Sequence, residues 1–181
     1  DTRLFDTLAN ASRWDVRAGQ RREFATWFAP IADAHLAAVT IRDPYVLGND
    51  TSRQCLVDLL SELKARSRSL QAVKVVYRAE AGERSGGSHG FGAPHRESNE
   101  FAQHDLRIRL QRAGLADIKL FPLPWRRTVA DRDFHDRSIE IQADHADGAT
   151  MRHRFDLSGG VDRLMQNRYE SLIVHSWQEE A

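Results

Sequence analysis

The sequence predicts an α/β domain, a mixed sheet flanked by helices on both faces, and three observations carry that reading. Apolar, β-branched segments alternate with amphipathic ones through the first two thirds of the chain, as in a layered α/β sheet. The last third changes character and reads as a hairpin, a short helix and a final strand. The length, 181 residues, suits a single domain, since domains run to roughly 100 to 200 residues and one of this size buries on the order of 70% of its unfolded surface.

The elements follow in order. Residues 20–32 form an amphipathic helix, because Phe24, Trp27, Phe28 and Ile31 recur at spacings of three and four. "LAAVTIRDPYV", residues 36–46, is a buried strand stopped by Asp43-Pro44. "TSRQCLVDLLSELKARS" is a helix capped by Asp50 or Thr51, with positions 56, 59, 60 and 63 on one face. "VKVVYR", residues 73–78, is the next strand. Residues 79–98 hold too much glycine, serine and charge to form an element and read as a mobile loop. A helix from Asn99 closed by Gly114 and a strand over "ADIKLFPL" complete a β-α-β-α-β succession, for which mainly parallel order is expected. "RSIEIQADHADGATMRHRFDL" is two strands about a turn at His145 to Gly148, where Asp147-Gly148 is a strong hairpin signal. A short helix from Val161 and the strand "SLIVHSW" finish the domain.

Composition narrows the function. Lys plus Arg and Asp plus Glu both total 26, so no global field drives the molecule onto DNA or an anionic membrane and any attraction to phosphate is local. No run of 18 apolar residues and no signal-peptide pattern occurs, so no transmembrane segment is expected. Cys55 is the single cysteine; it reads as a small core residue, and its solitude points to a cytoplasmic setting. The chain opens on Asp1 without a methionine, which reads as a module taken from a longer protein.

The chemistry begins at "FHDRSIEI", residues 134–141. Side chains alternate along a strand, so His135, Arg137, Ile139 and Ile141 share one face. An imidazole beside a guanidinium at the rim of a core suits a visiting phosphate: arginine offers a planar fork, and neutral histidine donates a hydrogen bond or attacks phosphorus. Downstream, "LSGGVDR" ends a strand in Gly159 and Gly160 and starts a helix, so backbone N–H groups can face an anion there, with Ser158 and Asp162 at the same corner. Asp43 and Tyr45 end the first predicted strand at the carboxyl edge of the sheet, where α/β proteins place ligands.

These blocks resemble the half-site of the phospholipase D superfamily, H-x-K-x4-D followed by Gly-Ser-x-x-Asn. "VTIRDPYV", "FHDRSIEI" and "FDLSGGVDRL", in that order, are similar to the C-terminal phospholipase D-like domain of MIT-domain-containing proteins, and the resemblance covers nearly the whole chain. It implies that His135 stands at the nucleophilic histidine and Arg137 at the phosphate-binding lysine. Gln142 falls where the motif has aspartate and Asp162 where it has asparagine. That family works with the ESCRT machinery and is regarded as having lost catalysis while keeping affinity for acidic phospholipids. The resemblance therefore implies a phosphate reader, peripheral to a membrane, that helps a larger complex assemble and needs no cofactor.

Phosphodiester cleavage by this chemistry requires two histidines, and the chain holds one H-x-R of the right kind. An active enzyme, a phosphodiesterase or nuclease working on nucleic-acid phosphate through His135, would have to be a symmetric homodimer. A third alternative is an adaptor that binds other domains of its parent protein and keeps only a vestigial site. Trp125, Arg126 and Arg127 in "PLPWRRT" add a possible membrane or nucleic-acid contact. The eight histidines show no metal-ligand spacing, so no metal is expected, and no nucleotide-binding glycine loop is present.

Overall fold

The computed structural model describes residues 11–67, 72–78, 99–123 and 137–179. Seven strands form one mixed sheet. In chain order they are β1 (Ala11–Val16), β2 (His35–Arg42), β3 (Ala72–Arg78), β4 (Lys119–Leu123), β5 (Ser138–Asp144), β6 (Thr150–Leu157) and β7 (Ser171–Glu179). Their spatial order is β1-β7-β6-β5-β2-β3-β4. Helices α1 (Phe24–Trp27), α2 (Asp50–Ala65), α3 (Asn99–Arg112) and α4 (Val161–Met165) connect them.

The predicted β-α-β-α-β succession is β2-α2-β3-α3-β4, and its three strands are parallel. The sheet as a whole departs from the mainly parallel order expected. The β5-β6 hairpin returns along β2, and β7 and β1 follow it, so four neighbouring pairs are antiparallel against two parallel ones. A tight turn imposes this: His145 N–H donates to Ala149 O at 2.9 Å, and Gly148 takes φ +87°, a conformation that a side chain strains.

Register assigns the faces. Paired residues share a side, which places Trp14, Ile173, Phe155, Ile139, Ile41 and Val75 on the buried face. The opposite face carries Thr40, Glu140, Gln142, Arg152 and Arg154, and Arg154 pairs there with Glu140 at 3.1 Å. Among the described residues the helices gather over the apolar face, which differs from the two-sided arrangement expected. Helix α2 touches both α3 and α4, and Arg66 at its end lies over the Phe24 ring of α1 at 4.6 Å. Two successive right-handed crossovers running the same way along a sheet leave their helices on the same side.

Local chemistry corrects three other expectations. The helix predicted over 20–32 shrinks to four residues and a 3-10 turn at Ala29–Ile31: the backbone leaves the helical region at Phe28, with φ −127° and ψ 39°, and Pro30 lacks the N–H that would continue the helix. Its apolar set is nevertheless buried as the spacing required. The cap of α2 is Asn49, whose Oδ1 accepts from Ser52 N–H at 2.9 Å, in place of Asp50 or Thr51. Strand β1 has no counterpart in the predicted elements; as an edge strand it leaves Ala11, Ser12, Arg13 and Asp15 exposed and carries little apolar signal. The loop predicted at 79–98 lies outside the described residues.

Two buried polar groups shape the core. Arg53 of α2, 1% exposed, donates from Nε to Asp105 of α3 at 2.7 Å and from Nη1 to Leu47 O at 3.2 Å. Asp105 also receives Arg109 Nε at 2.8 Å, and Arg109 reaches Asp50, so charge locks the two crossover helices together. Cys55 is buried as predicted, and burial pushes its thiol up to about 11, which keeps it protonated at neutral pH.

Candidate phosphate site

The site is built where β2 ends, β5 begins and β6 runs into α4. Asp43 still pairs with β3 through its N–H to Val76 O at 3.1 Å, and Pro44 then turns the chain. The Asp43 carboxylate is 3% exposed. Its Oδ1 accepts the N–H of Tyr45 at 2.9 Å and its Oδ2 the N–H of Val161, at the start of α4, at 2.9 Å. Burial pushes the Asp43 carboxyl above its ordinary range, against the pull of those two N–H groups and of the nearby Arg137 charge.

Gly160 makes the approach possible. A Cβ there would stand 2.6 Å from Asp162 Oδ1 and 3.1 Å from Asp43 Oδ2, so only glycine lets both carboxylates crowd the helix start. The diglycine corner predicted to face an external anion therefore already holds an internal one. Gly159 is buried, and a Cβ added there would meet only the flexible stem of Arg163, at 2.8 Å. Ser158 is tied to β7, its N–H donating to Leu172 O at 3.0 Å and its Oγ accepting Leu172 N–H at 2.9 Å.

Arg137 lies against this corner. Its backbone oxygen accepts Leu157 N–H at 2.8 Å, which continues the β5-β6 pairing by one residue. Its guanidinium carbon sits 4.9 Å from the centre of the Tyr45 ring, a cation–π contact. Its Nε is buried and donates to no acceptor among the described residues. A buried guanidinium nitrogen without an acceptor is costly unless a ligand supplies one. Tyr45 is 44% exposed, so its side of the corner is open to solvent.

The structure thus brings together Asp43, Tyr45, Arg137, Gly160 and Asp162. His135, Trp125, Arg126 and Arg127 lie outside the described residues. Gln142 is on the opposite face of β5 from Ile139 and Ile141 and five residues beyond Arg137, roughly 17 Å away at 3.4 Å per residue. No family model and no curated protein matches the chain.

Sequence reasoning missed a row of three histidines. His145 Nε2 meets His153 Nε2 at 2.9 Å, His153 Nδ1 meets His175 Nε2 at 3.0 Å, and His175 Nδ1 meets Ser12 Oγ at 3.2 Å. Each ring can be neutral and use its single N–H to pass the bonding along the row. Because His153 spends its two nitrogens on different neighbours, the rings do not converge on one point. Among the described residues no group of three or more His, Cys, Asp or Glu is placed to hold a metal ion. A signal was present for His153, which shares the inward row of β6 with Phe155 and Leu157 while Arg152, Arg154 and Asp156 alternate with them.

One consequence for the corner is testable. Asp43→Ala is expected to lower stability by about 2 kcal/mol, since the N–H groups of Tyr45 and Val161 lose their acceptor and Arg137 loses a nearby negative charge. Urea unfolding followed by tryptophan fluorescence reads this directly, and an unchanged midpoint would refute the capping role.

Proposed function

We propose that this chain is a non-catalytic phosphate-recognition module of the phospholipase D-like type, which binds phosphate groups of acidic phospholipids and supports assembly of a larger complex. The observation that carries the reading is the Arg137 guanidinium, stacked on a half-exposed tyrosine with a buried Nε that lacks an acceptor. A phosphate oxygen approaching from the Tyr45 side satisfies that nitrogen. The N–H of Val161 is not the receptor, because Asp43 occupies it.

A phosphodiesterase needs a second histidine within reach, and the row of three is not placed beside Arg137 to supply it. The row of three sits toward the hairpin turn, and His153 is four residues along β6 from Leu157, the residue that binds the Arg137 backbone. That is roughly 13 Å of strand.

Vesicle co-sedimentation over a series of phosphatidic acid contents tests the proposal. Binding is expected to rise with the anionic fraction and to weaken about tenfold in Arg137→Gln, the equivalent of one charge-assisted hydrogen bond. Tyr45→Phe keeps the ring beneath the cation and is expected to keep binding. Indifference to lipid charge would overturn the reading. Hydrolysis of a phosphodiester that disappears in His135→Ala would replace it with the enzyme.

A further inference from the structure

We infer a second anion site on the described surface, whose lining shares no residue with the Arg137 corner, formed by Arg21, Arg22 and Arg168 for an oxyanion of the phosphate class carrying at least two negative charges. A cavity of about 490 Å³ opens between the turn that follows β1 and the connection from α4 to β7. Three arginines line it together with Met165, Gln166 and Asn167, and among the described residues no Asp or Glu does.

The arginines are not spent elsewhere in equal measure. Arg21 pairs with Glu23 at 3.3 Å. Arg168 lies over the Tyr169 ring at 4.8 Å, a contact that leaves its N–H fork available to an anion. Arg22 is the informative one. Its Nη2 donates to the backbone oxygen of Tyr169, while its Nε and Nη1 are buried and have no acceptor among the described residues. A guanidinium held by a neutral carbonyl, with an unbonded donor on each of its two edges, has N–H groups left to offer an anion.

The walls are held in place without a ligand. Gly19 N–H donates to Asn167 O at 2.6 Å, with Gly19 at φ +80°, and Gln166 Nε2 donates to Asp162 O at 3.0 Å. Such bonding preorganises the cavity and reduces the ordering cost of binding. A volume of about 490 Å³ exceeds one phosphate ion and falls in the range of small-ligand pockets. The cavity therefore fits a phosphate joined to a further group, whether that group is a lipid or a soluble molecule.

The experiment is an amide-shift titration of the whole chain with pyrophosphate at constant ionic strength. Saturable shifts are expected at Gly19, Arg22, Asn167 and Arg168, with little change at Tyr45 and Arg137. Arg168→Gln, on an exposed side chain, and Arg22→Lys, which keeps charge but loses the fork, are each expected to weaken binding at least tenfold. Arg137→Gln is expected to leave this titration intact, which separates the site from the corner proposed above. Shifts that never saturate, shifts confined to other residues, or an Arg168→Gln protein that binds like the parent would overturn the inference. Where binding is confirmed, phosphatidic acid vesicles competing with pyrophosphate for these signals identify a lipid source, and vesicles without effect identify a soluble phosphate compound.

Discussion

Acidification from pH 7 to about 4.5 is expected to remove on the order of 4 kcal/mol of stability through two side chains alone. His153 and His175 are 3% and 2% exposed, and burial holds both at about 4, reinforced for His153 by the neighbouring histidines. In the unfolded chain each titrates near 6.5. Between these values the unfolded state binds the additional proton, so stability rises with pH there. The contribution is present in full above about pH 6.5 and is lost as pH falls toward 4, at roughly 2 kcal/mol per ring by pH 4.5.

The hydrogen bonds of the two rings run to each other, to His145 and to Ser12, and none of these partners is a carboxylate that would favour the charged form. Packing adds to the constraint. His175 stacks with Phe155 at 4.7 Å and with Trp177 at 4.9 Å between ring centres, leaving little room for a hydration shell. Urea midpoints measured from pH 7 to 4 test this. The double variant His153→Phe/His175→Phe keeps the stacked rings and should show a much flatter profile over the same window. An equally steep profile in that variant would assign the acid sensitivity to other groups.

The second large effect is expected at Asp105→Ala, which should cost about 4 kcal/mol. Arg53 is 1% exposed, and Asp105 is the carboxylate at 2.7 Å from its Nε. Removing Asp105 takes the carboxylate at 2.7 Å from a buried guanidinium that keeps Leu47 O at 3.2 Å and Asp50 at 3.9 Å, and breaking a buried pair in this way typically costs about 3 to 5 kcal/mol. Partial burial pushes the Asp105 carboxyl up, but its bonds to Arg109 and Arg53 prevail and set it below the ordinary carboxylate range. Its contribution is thus complete above the unfolded carboxylate value and is lost as pH falls through the lower, folded one. The informative comparison is Arg53→Met/Asp105→Leu, which removes both charges and fills similar volume. It is expected to recover most of the loss, because the pair's attraction roughly offsets its desolvation. If the double variant is as unstable as Asp105→Ala, packing and not the stranded charge is responsible. Helix α3 is the element at stake. Ala102, Leu106 and Leu110 give it a narrow buried stripe, and the ion pairs supply much of its hold on α2.

Local pattern in the sequence determined the elements. Spacings of three and four selected Leu56, Leu59, Leu60 and Leu63 for the buried side of α2, Gly114 closed α3 at φ +70°, and Asp147-Gly148 placed the hairpin turn. These signals are legible because they arise within one or two turns of chain, where sterics and alternation act on neighbouring residues. The ingredients of the candidate corner were legible in the same way, since Asp43, Tyr45, Arg137, Gly160 and Asp162 all stand at predicted strand or helix ends. What only the tertiary structure decided is how those ends meet. The antiparallel return of β5 along β2 sets Arg137 against Asp43 and Tyr45, and the carboxylate of Asp43, 118 positions from Val161 in the chain, takes the helix N–H that the diglycine turn was expected to offer outward. Buried charges such as Arg53 and Asp105, and histidines that share protons across two strands, are likewise invisible to local pattern. Their pairing depends on distances set by the packing of whole layers, and the free energy of a charge depends on what surrounds it in space rather than on what flanks it in the chain.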